Sequence, residues 1–355
     1  MKEQSKSTPQ IQASPLVIGI EFDHAKIAAA LVNESGRVIE QHEVETPPRT
    51  TRAAVSAMTK LITALAASPS RHGSPINGIG FSVAGLVDPP TARVSIPELK
   101  GWTRVALQPM VEEGLTGAGV DIRVPPDERR ARAKHGGSAH PAMAINSRAA
   151  AIAAGEAWVG AARGKNNVVY FSIGEEIEAG IFASGRVVQG ATGLAGAAGW
   201  LAVGENFKPE FESRGCLATE AAMGALKRRA LEEWDGSANS VIGQLLKTNA
   251  RRLDVATIIR AARGGDTLAA RVVTETCRWI GRGVANLVSI LNPDAVVIGG
   301  RAGLMLKPHF DEISEEVRRW AMPAAARQCR IVGAALGDKA GLIGAARLAF
   351  LKTDG

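Results

Sequence analysis

The chain of 355 residues has few cysteines, few aromatic residues and no long apolar run. Its three cysteines are widely spaced and form no CxxC pair, which excludes a disulfide framework and a complete zinc knot. The single tyrosine and an aromatic content of 4% argue against a surface that stacks single-stranded nucleic acid. No window reaches the roughly 18 consecutive apolar residues of a membrane span. Because the polar N-terminus also lacks the apolar core of a signal peptide, we expect a cytoplasmic protein with no membrane partner.

The charge balance is mildly basic, with 42 Lys and Arg against 35 Asp and Glu and a net charge of +7. The basic residues occur in short, scattered runs near acids, and one dense run lies within residues 127–140. Such runs are more often solvated surface than a nucleic-acid interface, so we expect no direct nucleic-acid partner. The hydrophobic content of 46% and the length predict a globular chain of two domains.

Strand and helix patterns occur in the same order in two halves of the chain. Three β-rich runs begin at Leu16, with a turn signal at residues 33–36 before the third, and a helical stripe at residues 51–67 and a further strand follow them. In the last third of the chain, a cap at Asp266 and a stop at Asn292–Pro293 predict the ends of a long helix. Three similar runs begin at Val168, and the letters SGRVI at residues 35–39 correspond to SGRVV at residues 184–188. A repeat of about 150 residues predicts two related α/β domains with mixed sheets flanked by helices, and not a solenoid.

The repeat also predicts where the domains begin and end. Residues 1–15 have the composition of a disordered tail, rich in Ser, Gln, Lys and Pro. We place the first domain at residues 16–145 and the second at residues 146–355, with the last helix able to pack back on the first domain.

Several stretches together are typical of one protein family. In chain order they are GIGFSVAGLVDPPTARV, LKGW, AAAIAAGEAWVGAARGKNNVVYFSIG, GATGLAGAAGW, RGCLATEAA, NPDAVVIGG and LGDKAGLIGAARLA. From about Leu16 to about Leu351 the chain resembles the ROK group of repressors, open reading frames and sugar kinases. The resemblance implies an α/β, actin-like (ribonuclease H-like) ATPase fold, in which two related domains enclose a central cleft for ATP and substrate. It also implies a homo-oligomer and a sugar-like ligand.

The resemblance implies two phosphate loops, and both have lost their chemistry in this chain. The family reads D-x-G-G-T-K where this chain reads EFDHAK, and G-T-G-I-G-x-G where this chain reads GEEIEAG. A carboxylate about 5 Å from a phosphate repels it by roughly 3 kcal/mol at an effective dielectric constant near 20. We therefore expect a locally acidic cleft with no ATP and Mg²⁺ of the family type, although Gly299 and Gly300 remain on the nucleotide side. The degenerate phosphate-loop positions are Glu21, Asp23, His24, Glu175, Glu176 and Glu178.

The catalytic base that the resemblance implies is also missing. The family reads E-N-D-A, and its aspartate deprotonates the sugar hydroxyl; this chain reads INSR at residues 145–148. Ser147 stands at the base position and cannot accept a proton at neutral pH without help, so we predict no catalytic residue. Asn146 survives from the motif, and we interpret it as the cap of the following helix more readily than as a sugar ligand.

The sugar-binding and zinc-binding positions that the resemblance implies have changed as well. Glu98 replaces an asparagine and Trp200 replaces the histidine, so the candidate ligand-binding residues are Glu98, Asn146, Ser147 and Trp200. A tryptophan between Gly199 and Leu201 is more often part of the core than a sugar-stacking surface. Cys216 alone remains of the zinc ligands and is typical of a small core residue, so we expect no structural zinc.

These substitutions favour a pseudo-kinase that keeps the scaffold without the chemistry, acting by ligand binding or regulation. Two alternatives stay open. One is an ATP-dependent hexose or N-acetylhexosamine kinase, similar to glucokinases, which would require ATP and Mg²⁺. The other is a transcriptional regulator that acts through a partner, because the roughly 15 residues before Leu16 are too few for a helix-turn-helix domain. The acids of the two loops could also hold a divalent cation or a cationic ligand, or merely solvate an empty cleft.

Overall fold

The computed structural model describes residues 14–47, 50–120 and 142–353, so the basic stretch 127–140 and all but two residues of the predicted tail lie outside it. The first sheet begins with an antiparallel meander of β1 (Leu16–Phe22), β2 (Lys26–Asn33) and β3 (Val38–Glu45). The predicted turn between β2 and β3 forms because the Asn33 side-chain oxygen accepts backbone N–H groups of Ser35 and Arg37 at 3.1 and 2.9 Å.

Two further strands complete the first sheet on the other side of β1. These are β4 (Ile76–Val83) and β8 (Ala142–Ser147), both parallel to their neighbours, in the order β3-β2-β1-β4-β8. A small antiparallel sheet of β5 (Leu86–Asp88), β6 (Arg93–Ser95) and β7 (Val105–Ala106) follows β4 in the chain.

The second sheet repeats the arrangement of the first. An antiparallel meander of β9 (Val168–Ile173), β10 (Ile177–Ala183) and β11 (Arg186–Val187) precedes the parallel strands β12 (Ala295–Gly299) and β13 (Arg330–Gly333). The strand order β11-β10-β9-β12-β13 therefore matches that of the first sheet, with three meander strands and then two parallel strands. This confirms the α/β class and the internal repeat.

Thirteen α-helices occur within the described residues. The predicted capping residues stand at the two ends of the longest helix, Thr267–Leu291. Asp266 caps its first turn by accepting the Ala269 N–H at 3.0 Å, and Asn292 ends it in the left-handed conformation. None of the described helices is both long and apolar enough to cross a membrane. The helices are α1 (Thr51–Ala66), α2 (Leu107–Gly117), α3 (Arg148–Val159), α4 (Phe211–Arg214), α5 (Cys216–Ala221), α6 (Met223–Glu232), α7 (Val241–Asn249), α8 (Val255–Arg263), α9 (Thr267–Leu291), α10 (Gly300–Met305), α11 (Phe310–Trp320), α12 (Pro323–Gln328) and α13 (Ala340–Thr353).

Helices α3 and α13 lie between the two sheets and cross at very close range. A Cβ atom on Gly344 of α13 would overlap the backbone of Ala151 in α3, and one on Gly80 of β4 would overlap the carbonyl oxygen of Ala345. On the other side, α3 packs against β9 and β10. The alanine and glycine stripes of the two helices are buried, and they bring the carboxyl ends of both sheets to one cleft.

Candidate functional site

A row of polar side chains lies across the carboxyl end of the first sheet. The register places Glu21 beside Ser82 and Ser82 beside Asn146, so that three parallel strands contribute one residue each. Glu21 is only 8% exposed and Ser82 is fully buried, and the Ser82 hydroxyl has no hydrogen-bond partner among the described residues. Ligands commonly bind at this edge of an α/β sheet, because the loops that follow the strands converge there.

Asp23 occupies the turn between β1 and β2, to which the resemblance assigns the first phosphate loop. Its Oδ1 atom accepts the backbone N–H groups of Ala25 and Lys26 at 2.7 and 2.8 Å. Its backbone carbonyl accepts the Thr46 hydroxyl at 2.7 Å. Two N–H donors of this turn are thus satisfied by a carboxylate of the chain itself, an arrangement in which the carboxylate takes the role of an external anion.

Arg148, the first residue of α3, places a positive charge beside the β1–β2 turn. Its Nη1 atom lies 3.4 Å from Asp23 Oδ2, and this ion pair joins α3 to the β1–β2 turn. Its positive charge also acts on the carboxyl groups of Glu21 and Glu178 and on the phenol of Tyr170. A side chain from the first turn of α3 therefore faces acids of both sheets.

Burial controls the protonation of this cluster more strongly than the arginine does. Desolvation raises the pKa of Glu21 above its usual value, and the charge of Arg148 opposes that rise. The pKa of Glu178 is raised for the same reason, although part of its side chain is exposed to solvent. Burial also raises the pKa of Tyr170. The floor of the cleft is thus a place where carboxylate charge is costly.

The structure brings only some of the predicted acids together. Asp23 forms an ion pair with Arg148, and the charge of Arg148 acts on Glu21 and Glu178, whereas His24 is exposed. The β9–β10 turn holds Glu175 and Glu176, whose partner is Arg214: its guanidinium donates to the Glu175 carbonyl at 3.2 Å and lies 3.9 Å from the Glu176 carboxylate. Within residues 14–47, 50–120 and 142–353, no group of three or more His, Cys, Asp or Glu side chains has an arrangement suited to a metal ion.

Gly299 and Gly300 lie where β12 meets α10, against β9. A Cβ atom on Gly299 would overlap the ring of Tyr170, and one on Gly300 would come within 2.6 Å of the Ile173 backbone. Gly300 also has a φ of 77°, which a side chain rarely adopts. Both glycines are therefore required by the packing of β9 against β12.

The interpretation of Asn146 as a helix cap is wrong. Asn146 belongs to β8, Ser147 stands at the N-cap of α3, and neither side chain makes a capping hydrogen bond. The reason is the register, which keeps Asn146 in the sheet beside Ser82. Asn146 instead borders two cavities, and the one beside Ser147 measures only about 10 Å³.

The interpretation of Trp200 as part of the core is also wrong. Trp200 is 57% exposed, although its backbone and that of Gly199 pack so closely on Gly215 that a Cβ there would overlap them. Glu98 is exposed and borders neither cavity that Asn146 borders. Trp200 and Glu98 therefore lie outside both cavities that Asn146 borders.

The residues present do not fit the zinc site that the resemblance implies. Cys216 is buried at 7% exposure, which confirms that it is a small core residue. Pro209 and Phe211 stand at the other ligand positions and offer no metal donor. Phe211 is itself buried and forms an edge-to-face contact with Phe207, with ring centroids 5.9 Å apart.

A buried ion pair holds the same loop to the second sheet's helices. Lys208 Nζ lies 2.5 Å from Glu220 Oε1, and Glu220 Oε2 lies 3.4 Å from Arg229 Nη2 and 3.5 Å from Arg228 Nη2. The side chains of Glu220 and Arg229 are 5% and 7% exposed. One carboxylate thus connects a loop lysine to two arginines of α6.

Three of these residues were not predicted as site residues from the sequence. Arg148 immediately follows the base position, and that adjacency was the available signal for it. Ser82 and Tyr170 carried no signal, because only the register and the packing of β9 bring them to the cleft.

Comparisons with known proteins agree with this geometry. The family described as ROK matches residues 17–126 and 140–351. A glucokinase of Streptomyces coelicolor is 29% identical over 338 residues, covering 94% of this chain and 97% of its own. The crystal structure of a ROK hexokinase from Thermus thermophilus superposes with a TM-score of 0.73 at 25% identity, covering 96% of this chain and 100% of its own. A ROK family glucokinase from Streptomyces griseus, in complex with glucose and AMPPNP, has a TM-score of 0.67 at 28% identity and covers 95% of this chain and 99% of its own.

Proposed function

We propose that this chain, which belongs to the ROK family, is a sugar-kinase-like protein that binds a sugar-like ligand without phosphorylating it. Its role is then ligand binding or regulation. The observation that carries the proposal is the use of the Ala25 and Lys26 N–H groups by the Asp23 carboxylate, at 2.7 and 2.8 Å. The same proposal includes a cytoplasmic homo-oligomer that holds neither ATP nor structural zinc, as expected from the substituted motifs.

The charges around Asp23 support the proposal, because they oppose the binding of a triphosphate. A triphosphate bound in the family's manner would approach Asp23 and Glu178, and each carboxylate would repel it by roughly 3 kcal/mol at about 5 Å. It would also have to displace Asp23 from two short hydrogen bonds and from Arg148. Arg148 alone cannot offset these terms, because three carboxylates already share its charge.

The residues at the expected position of the sugar hydroxyl also support the proposal that no phosphate is transferred. Phosphoryl transfer is mostly positioning and charge stabilisation, with a carboxylate that orients and deprotonates the acceptor hydroxyl. Ser147 has no such carboxylate, and the cavity beside it has room for about one water molecule.

A binding titration tests the phosphate side directly. We expect the native protein to show no saturable binding of MgATP and no ADP release with a panel of hexoses and N-acetylhexosamines, with a related glucokinase as positive control. Asp23→Gly frees two N–H donors and removes one charge, so it should acquire measurable MgATP affinity. The matched control is Asp338→Asn, which removes a charge that acts on Glu21 but leaves the turn unchanged. Sugar-dependent ADP release by the native protein would refute the proposal.

The second candidate is an ATP-dependent hexose kinase. It is favoured by the similarity to glucokinases over 94% of the chain. The ADP-release assay separates the two candidates, because only a kinase gives turnover that depends on both ATP and sugar.

A further inference from the structure

The larger of the two cavities that Asn146 borders does not include Ser147 in its lining. It measures about 640 Å³, within the range of roughly 300–1,000 Å³ that small-molecule sites occupy. One wall is β8 and β5, which form part of the first half of the chain. The opposite wall is the β10–β11 turn of the second sheet, and the C-terminal end of α13 closes the bottom.

Polar groups converge on this cavity from both halves of the chain. The side chains of Asn146, Arg186 and Gln189 line it, and none of the three forms a side-chain hydrogen bond or ion pair with another described residue. Asp88 adds a carboxylate whose Oδ2 atom accepts the Thr91 hydroxyl at 2.5 Å and pairs with Arg104 Nη2 at 3.5 Å, while no described partner bonds its Oδ1 atom. Unpaired amides and a guanidinium around one cavity are hydrogen-bonding groups available to a ligand.

The remaining walls are apolar. Val87, Met143, Val187, Leu348 and Leu351 form most of them. Apolar walls with a few convergent polar groups are typical of a small-molecule site.

The inner end of the same region is closed. The separate cavity beside Ser147 measures only about 10 Å³, and the loop at Gly193 packs directly on the carbonyl oxygen of Val87 there. A ligand held by Asn146 must therefore lie on the outer side of that residue, toward Arg186, and not against Ser147.

We propose that this outer cavity, which we call the Arg186 cavity, is the ligand site and that it takes an anionic, hydroxylated small molecule such as a sugar phosphate or a sugar acid. This rests on the proposed function and names its ligand class. The amides of Asn146 and Gln189 bind hydroxyl groups, Asp88 accepts a hydrogen bond from a hydroxyl group, and the Arg186 guanidinium pairs with the anionic group. Arg186 suits this role because its planar fork binds carboxylate or phosphate through two hydrogen bonds.

The charge of the cavity is consistent with an anion. Arg186 and Lys352 contribute two positive charges against the one negative charge of Asp88. Lys352 donates to the Met143 carbonyl at 2.7 Å, so its charge is held at the cavity wall. The cavity thereby differs from the acidic floor around Arg148.

Calorimetric titration of the full chain tests the proposal. Glucose 6-phosphate, glucuronate and glucose are the three probes, each to 10 mM. We expect one or both charged sugars to bind and glucose to bind at least about tenfold more weakly. Binding of the phosphate alone or of the uronate alone identifies the anionic group.

Arg186→Met removes the guanidinium and should weaken binding of the charged sugar at least about tenfold, to the level of glucose. The matched control is Arg163→Met, which changes an exposed arginine outside the cavity and should leave affinity unchanged. Glucose binding as tight as that of the charged sugars, or affinity unchanged by Arg186→Met, overturns the anionic-ligand inference and leaves the proposed sugar-binding function in place. No binding of any probe overturns both, whereas sugar-dependent ADP release overturns the proposed function alone.

Discussion

The buried carboxylate of Glu220 offers the sharpest test of how this fold holds its second half together. Its side chain is 5% exposed, and it is the counter-ion of Arg229, which is 7% exposed. Glu220→Gln keeps the shape of the side chain and removes only the charge. The variant therefore leaves a buried guanidinium without its carboxylate partner.

The size of the effect follows from that burial. Removing one partner of a buried ion pair costs about 3–5 kcal/mol. Arg229 keeps its hydrogen bonds to the Thr276 hydroxyl and to the carbonyl oxygen of residue 220, at 2.7 and 2.8 Å, so the lower end of the range applies. A loss of about 3 kcal/mol lowers the melting temperature by roughly 6–12 °C for a folding unit of 150–250 residues.

Urea unfolding followed by circular dichroism measures the free energy of unfolding, and calorimetry measures the melting temperature. The matched control is Glu232→Gln, which has the same chemistry in an exposed i,i+4 pair with Arg228 at 3.1 Å. That pair is worth about 0.3–0.5 kcal/mol. If Glu220→Gln loses no more stability than the control, the buried pair does not stabilise the loop and the reasoning fails.

Four further predictions follow from single contacts. Ser68→Ala should raise the pKa of Glu40, which is about 2 chiefly because the Ser68 hydroxyl donates to its carboxylate. The stability that this carboxylate contributes above pH 4.5 should then be lost at a higher pH on acidification, and NMR titration of the Glu40 carboxyl measures the pKa. Glu21→Gln should raise the melting temperature at pH 7 but not below pH 4.5. Burial raises the pKa of the Glu21 carboxyl in the folded protein, so its ionisation at pH 7 favours the unfolded chain, and the variant removes that destabilising charge. Gly80→Ala should cost roughly 3 kcal/mol or more in urea unfolding, because the new methyl overlaps the Ala345 carbonyl. Treatment with a strong zinc chelator should leave the melting temperature unchanged.

Each of these has a control and a result that contradicts it. Three control variants should each change the free energy of unfolding by less than about 0.5 kcal/mol. They are Ser56→Ala for Ser68→Ala, Glu45→Gln for Glu21→Gln, and Gly117→Ala for Gly80→Ala, because a Cβ atom on Gly117 meets open space. An unchanged Glu40 titration, a Glu21→Gln variant that melts lower at pH 7, or a Gly80→Ala variant as stable as its control would each refute the corresponding contact. A chelator-induced drop in melting temperature would show that a metal stabilises the fold.

The architecture was predictable because periodicity and capping are local. The stripe of apolar residues predicted a helix at residues 51–67, and α1 covers Thr51–Ala66. The Asp266 cap and the Asn292–Pro293 stop predicted α9 almost to the residue. The repeat predicted two matching sheets, and the strand orders match. Each of these signals depends on residues that are close together in the chain, so it can be interpreted without the tertiary structure.

The site was predictable only in part, because it depends on register and on what each element packs against. The local pattern predicts a cap at Asn146, and the pairing of β4 with β8 makes it a residue of the sheet. The local pattern predicts a core position for Trp200, and the folded chain leaves its side chain 57% exposed. In both cases the local pattern was ambiguous, and contacts distant in the chain decided the outcome.

The sequence by itself determined the fold class and the repeat. It also determined that glycines and an aspartate are absent from the positions that the resemblance assigns to phosphate binding and to the base, because residue identity alone decides which groups are present. Only the tertiary structure decided what the remaining groups do. It showed that Asp23 satisfies the donors of its own turn and forms an ion pair with Arg148. It also showed that the roomy cavity lies beside Arg186 and not beside Ser147. The physical reason is that charge balance and free volume belong to groups brought together in space, from residues that are far apart in the chain.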